Sequence, residues 1–401
     1  MMLTALWFGC LAAAQVLAGD VVTVVEASGT TRADVMLRTW TTDRVSVEAD
    51  AVHDASLDDL VSISFDRKSA ALAGGESFVL LANGDRLVVR PVGVFDDELT
   101  ATWQRIAGRP PLKLPLETIS AIVFDVPTAK ADRLRLFADL QTLPAGDDIV
   151  LLANGDRIQG EFERLDGAFL HLKSSTGVSK IDRNRVRAVR LNPELTSTPR
   201  VQGRRLMISL TDGSRFTARS AELVEQEMKF ATFSNQEFAL PLVDVVACRV
   251  YGTRVIPLSD REPTEVSFTP YLSAQWPLIK NANALRGPLS LRDVEFGSGL
   301  GMHSRMAATY ELRGTDREFR AIIGIDDCAN GGGSARFAID LDGKSVWASE
   351  EVTGRSAALA IPPLKLNGAK KLTLLVDFGQ NADVADYADW CDAVLIVDPP
   401  K

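Results

Sequence analysis

The sequence predicts an all-β protein, with tandem small β-barrels or curled sheets in its N-terminal two-thirds and a C-terminal β-sandwich or jelly roll. Three observations predict this. The string Leu80-Leu81-Ala82-Asn83-Gly84-Asp85-Arg86-Leu87 returns almost unchanged as Leu151-Leu152-Ala153-Asn154-Gly155-Asp156-Arg157-Ile158. Around these strings, short runs alternate apolar and polar residues, the period of a half-buried strand. From Tyr271 onward the chain is a series of short apolar strands separated by turn residues, with almost no helical pattern.

The repeated string is a hairpin signal, because Asn-Gly between alternating runs suits turn positions that need φ > 0. A looser copy is Ile208-Ser209-Leu210-Thr211-Asp212-Gly213-Ser214-Arg215-Phe216, and a diverged one lies around Val25 to Thr30. Each copy continues with a second hairpin, as in Phe162 to Leu172 with its turn at Asp166-Gly167. Each ends on a closing strand, expected within Leu57 to Phe65, Leu116 to Phe124, Ile181 to Leu191 and Leu240 to Val250. The strand order resembles that of Sm-like or SH3-like barrels at the level of pattern. Asn and Gly are demanded by the turn and Asp can fasten it through its side chain, so Asn-Gly-Asp-Arg reads as structural.

The expected organisation is a leader at 1–19, two β-units over 20–128, a helix or linker at 129–147, two further β-units over 148–256, and the sandwich over 265–401. The helix is expected over Ala129 to Leu143, where Leu134, Leu136, Phe137, Leu140 and Leu143 share one face. Pro193 to Arg200 reads as a long loop, and Pro257 to Pro263 as the boundary before the last domain.

Met1 to Gly19 contains no charged residue and ends in Val16-Leu17-Ala18, the shape of a secretory signal peptide that lacks its usual basic start. Export to the outside, the periplasm or the cell envelope is therefore expected, with no later stretch apolar enough to span a bilayer. A net charge of −9 over 401 residues argues against a nucleic-acid binder, which needs a basic stripe. Cys248, Cys328 and Cys391 follow the leader; they read as buried free thiols, with a Cys328–Cys391 pair as the alternative. His53 and His171 have no nucleophile or carboxylate at a telling spacing and read as strand residues.

The C-terminal third carries the residues that suggest binding. A sugar site needs an aromatic face for the apolar side of the ring, and carboxylates or amides for its hydroxyls. Trp390 is flanked by Asp386, Asp389 and Asp392, and Trp276 and His303 lie at loop-like positions. Candidate ligand-binding residues are therefore Trp276, His303, Asp326, Asp327, Asp386, Asp389 and Trp390. Each also has a plain structural reading: Trp390 as a buried sandwich tryptophan, His303 as a hydrogen-bonded framework residue, Asp326-Asp327 as a strand terminator.

The order Gly299-Leu300-Gly301-Met302-His303-Ser304, then Gly324-Ile325-Asp326-Asp327, then Asp342-Gly343-Lys344, then Asp386 to Ala393 resembles the NPCBM family, the carbohydrate-binding modules found beside family-98 glycoside hydrolases. Tyr387 stands where His is common, and Cys391 where Ala is common. The resemblance implies a galactose-binding-like jelly roll on a secreted, non-catalytic protein whose partner is a carbohydrate or glycoconjugate. The alternative is a cell-envelope scaffold protein whose jelly roll contacts another protein. No cofactor is expected. Asp326, Asp327, Asp377, Asp383, Asp386 and Asp389 leave Ca²⁺ open, since that ion takes about 6–8 oxygen ligands, but no known loop spacing supports it. A glycosidase would need paired carboxylates across a cleft, and none can be placed.

Overall fold

The computed structural model describes residues 20–399 except Thr176 and Arg200; the expected leader at 1–19, with Cys10, lies outside the described residues. The chain is all-β, in antiparallel sheets, with one α-helix among the described residues. In the N-terminal body one element order occurs four times. The first run is Val21–Glu26, Thr31–Trp40, Arg44–Glu48 and Val52–Ser56, then a single 3-10 turn Leu57–Asp59 and the strand Leu60–Phe65. The later runs close the same way, with Leu116–Thr118 before Ile119–Val123, Arg183–Arg185 before Val186–Arg190, and Leu242–Asp244 before Val245–Tyr251. Alternation drives the burial: Val22, Val24, Val45 and Val47 all lie in the core, while Val21 faces out.

These runs curl but do not close into barrels. Among the described residues the fourth strand of a run never pairs with its fifth. The fifth strand instead gives its free edge to another run. Leu60–Phe65 pairs with Val245–Tyr251 through Cys248↔Ile63, and Ile119–Val123 pairs with Val186–Arg190 through Ile122↔Val189. Pairing between runs covers the edge that barrel closure would otherwise have covered, so of the two forms expected from the sequence the curled sheet is the one present.

The repeated turn is also simpler than a two-residue hairpin. Gly84 N–H donates to Leu81 O and Leu81 N–H to Asp85 O, and only Gly84 (φ +88°) has positive φ. This is a tight turn followed by a bulged glycine. Asn83 contributes its side chain, accepting from Asp85 N–H at 3.1 Å and donating to Asp85 Oδ2 at 2.8 Å. Asn154 and Asp156 repeat both bonds. The helix Lys130–Thr142 lies where its apolar spacing predicts, burying Leu136, Phe137 and Leu140, with Phe137 stacked on Phe78 at 5.6 Å.

The C-terminal domain is a sandwich of two antiparallel sheets. The first has the order Ile279–Lys280, Gly299–His303, Tyr387–Val397, Asp316–Ile325, Leu359–Ala360. The second runs Glu265–Phe268, Met306–Glu311, Lys371–Phe378, Ser334–Leu341, Lys344–Ala348. Leu300, Met302, Phe319 and Ile323 from one sheet meet Tyr310, Phe337, Leu374 and Val376 from the other. The first sheet begins earlier than the expected boundary at Glu265: Val255–Pro257 pairs with the final strand through Ile256↔Leu395. Those residues join the sandwich to the body, where Ala27, Tyr251, Val255, Val394 and Ile396 form a shared apolar cluster. Partly buried polar links flank it. Arg86 donates to Glu295 at 2.6 Å, and Arg249 pairs with Asp392 at 2.7 Å.

Candidate functional site

The seven residues singled out from the sequence separate into three places. Trp276 and His303 come together at one loop end of the sandwich. Trp276, half-buried on the segment entering the Ile279–Lys280 strand, lies parallel to the His303 ring with centroids 4.4 Å apart. His303 ends its strand directly opposite Tyr387, which begins the final strand. Tyr387 meets both rings edge-on at 5.7 Å, and Phe268 closes on His303 at 6.4 Å. His303 itself is only 2% exposed. Its Nδ1 lies 2.9 Å from Ser304 O; a carbonyl only accepts, so Nδ1 carries the proton. The histidine orients the cluster from beneath, and Trp276, Tyr387 and Phe268 are the rings that keep exposed surface.

Asp386 sits beside this cluster but is fully buried. Its oxygens accept from Ser304 Oγ at 2.5 Å and Ser334 N–H at 2.8 Å. Burial raises its pKa above the ordinary carboxylate value, and those two bonds oppose the rise. It therefore positions the loop that follows His303 rather than facing a ligand.

Asp326, Asp327 and Asp389 form a second place, at the join of several loops. Asp326 caps the turn Asp327–Ala329 by accepting from Cys328 N–H, and also accepts from Asn283 Nδ2 and Ser290 N–H. Asp327 gathers Ser290 Oγ and the N–H groups of Arg292 and Asp293. Their role is to pin loops. Among the described residues no three His, Cys, Asp or Glu side chains are grouped to hold a metal ion.

Trp390 is the third place, and it corrects the reading of this residue as a sugar platform. It has no exposed surface and sits between the sheets, edge-on to Phe337 at 5.3 Å and tilted against Phe319. Its position on the final strand is dictated by pairing: Trp390 faces Leu300 and Ile323 in the ladder, and those neighbours point into the same core.

Sequence reasoning passed over Tyr387 as a binding residue, noting it only as a departure from a pattern. It also passed over Tyr271 and Leu272, which are 56% and 81% exposed near the same end. Tyr271 is edge-on to Phe378 at 5.6 Å. An aromatic run on a loop of low pattern was the available signal. Elsewhere, His171 is buried against Asp166 at 2.9 Å and His53 lies 3.1 Å from Glu26. Carboxylates thus stand beside histidines whose spacing gave no hint of them: Asp166–His171 fastens a hairpin, and Glu26–His53 ties the strand Val52–Ser56 to the end of Val21–Glu26. Cys248, Cys328 and Cys391 are all free thiols, so Cys328 and Cys391 do not pair.

The C-terminal domain is thus a two-sheet sandwich with partly exposed aromatic rings at one loop end. Residues 255–396 match the family model of the NPCBM/NEW2 domain, and the chain carries that domain at its C-terminal end. A segment of 113 residues is 34% identical to a Renibacterium salmoninarum protein named "Putative endo-alpha-N-acetylgalactosaminidase"; it is 28% of this chain and 7% of that protein. The chain thus spans a small fraction of its curated relative. Among solved structures, the CBM51 of a Clostridium perfringens GH95 protein in complex with methyl-galactose is 24% identical, with a TM-score of 0.32, covering 35% of this chain and 99% of that one. The tandem CBM51 modules of a Streptococcus pneumoniae family 98 glycoside hydrolase are 11% identical with a TM-score of 0.32, covering 94% and 88%.

Proposed function

We propose that this protein is an exported, non-catalytic carbohydrate-binding protein, whose ligand rests on the aromatic end built from Trp276, His303 and Tyr387. The observation that carries the reading is the Trp276–His303–Tyr387 cluster at the loop end of an NPCBM/NEW2 domain. Rings of this kind bury the apolar face of a sugar. The nearby carboxylates support a binding role over catalysis, since Asp386 is spent on Ser304 and Ser334 and Asp377 lies 3.5 Å from Arg305. Export rests on the uncharged, apolar run at 1–19. No helix among the described residues is long and apolar enough to cross a membrane. The β-units over 20–128 and 148–256 act as the support that presents the module.

The name of the curated relative makes α-linked N-acetylgalactosamine glycans the first ligands to try. The test is a glycan array with the full chain, alongside Trp276→Ala and Tyr387→Ala. Saturable binding lost in both variants, each still folded and melting cooperatively, is the expected result. A second reading, contact with another envelope protein, draws on the exposed Tyr271, Leu272 and Val384. It takes the lead if a folded full chain binds no glycan.

A further inference from the structure

We propose that Asp326 and Asp389 share one proton in the folded protein, forming a pH-sensitive latch beneath the aromatic end of the sandwich. This inference does not rest on the ligand being a carbohydrate. Asp389 lies in the middle of the first sheet, paired with Gly301 on one side and Gly324 on the other. It is fully buried, and neither carboxylate oxygen receives a hydrogen bond from a donor group. Asp326 lies two residues beyond Gly324, the ladder partner of Asp389, in an extended backbone that puts its carboxyl group on the same face of the sheet.

The two acids are not equivalent. Asp326 Oδ1 accepts from Asn283 Nδ2 at 2.9 Å and Cys328 N–H at 2.7 Å, and Oδ2 accepts from Ser290 N–H at 2.8 Å. The Asp326 carboxyl is thus well supplied with donors, and Asp389 receives none. Asp389 faces an acceptor and has no donor of its own, and it satisfies both groups only by carrying a proton.

Among the described residues the nearby charged groups are acids or cations already engaged elsewhere. From the turn after Asp326 come Asp327 and the Cys328 thiol, and from Asp389's own strand come Cys391 and Asp392. Arg249 of the body is engaged by Asp392, and Lys130 of the helix places its ammonium on Asp327 O. Burial is the largest influence on Asp389 and lifts its pKa well above the ordinary value; the Asp326 charge, the bond to Asp326 and the Asp327 charge add to it. Ser290 N–H opposes the rise, but its bond goes to Asp326.

The latch joins the loops that frame the aromatic cluster. Asp326 N–H donates to Tyr387 O at 2.7 Å, and its side chain holds the Asn283 loop and the hairpin that begins at Leu289. Removing the proton leaves two like charges in a dry site, which loosens these contacts together.

A carboxyl whose pKa is raised on folding contributes its full stability below the unfolded value, near about 4. It loses that contribution as pH rises toward the folded value, by about tenfold in the folding constant per pH unit.

The test is denaturant unfolding of the full chain from about pH 4 to about pH 9, comparing wild type with Asp389→Asn and Asp326→Asn. The amide introduced by Asp389→Asn can donate the same bond without titrating. Asp389→Asn is expected to fold and to lose the part of the alkaline decline that wild type shows. Asp326→Asn is expected to be weak at every pH, because its amide nitrogen cannot accept. Infrared spectra of the folded wild type should show a protonated carboxyl band at neutral pH that Asp389→Asn lacks. Parallel declines in wild type and Asp389→Asn, an Asp389→Asn protein that cannot fold, or no such band in wild type would each overturn the proposal.

Discussion

Arg249 and Asp392 meet at 2.7 Å across the seam between the N-terminal body and the sandwich, and Tyr251 Oη adds a 3.4 Å bond to the same carboxylate. Burial raises the Asp392 pKa while Arg249 opposes the rise. Arg249→Ala should cost about 2 kcal/mol, less than the ~3–5 kcal/mol of a fully buried pair because the arginine side chain remains 32% exposed. The raised carboxyl favours folding at acid pH, so the loss should be smaller at pH 5 than at pH 8, read from urea unfolding.

The two tryptophans of the sandwich should respond in opposite ways. Trp390→Ala opens a cavity between Phe337 and Phe319 and is expected to cost about 3–5 kcal/mol, with ligand binding lost only through unfolding. Trp276→Ala removes a half-buried ring and should cost about 1 kcal/mol while abolishing binding. Circular dichroism melts beside glycan titrations separate the two outcomes.

Asp166 carries a different kind of pH dependence. His171 first, then the N–H groups of Phe169 and Ala168, lower its pKa to about 2. A carboxyl lowered on folding adds stability above its unfolded value and loses it as pH falls through the folded value. Asp166→Asn should therefore flatten the stability profile between about pH 4 and about pH 2, with its loss of stability greatest at neutral pH and smallest in acid. Acid titration followed by tryptophan fluorescence checks it.

Gly301 marks a place where a loop lies flat on the sheet. An added Cβ would stand 2.3 Å from Ala282 O and 2.6 Å from Asn283 C. Gly301→Ala must push that loop away and with it the Asn283 bond to Asp326. We expect a loss of about 2 kcal/mol, measured by thermal unfolding.

The paired copies of Asn-Gly-Asp-Arg give a sharper comparison. Asp85 is buried and accepts from Thr217 N–H at 2.7 Å and Thr217 Oγ1 at 2.8 Å, while Asp156 is exposed and fastens only its own turn. Asp85→Asn should cost about 1–2 kcal/mol and Asp156→Asn about a third of that, by urea unfolding.

The same pair shows what the sequence could and could not reveal. Both turns were legible from local chemistry, because Gly at the bulge and Asn beside it are requirements of the chain next to them. The second use of Asp85 was hidden, since Thr217 is distant in sequence and nothing local distinguishes the copies. Apolar periodicity likewise located the helix and the sandwich, yet it did not say that Leu60–Phe65 would pair with Val245–Tyr251 instead of closing its own barrel. At the candidate site, residue type singled out Trp276 and His303 separately, and their stacking on one another was not legible. It misplaced Trp390, because an aromatic residue among aspartates reads as polar surroundings until the ladder sets its face inward.

The pairing of closing strands is nested: the first run joins the fourth, and the second joins the third. As the chain is made from its N-terminus, the inner pair is complete once Arg190 has emerged. The edge of Leu60–Phe65 must wait for Val245–Tyr251. Throughout that interval it is a bare strand edge able to accept another chain, so the order of synthesis exposes the first run for longest and makes it the part most dependent on prompt completion of the rest.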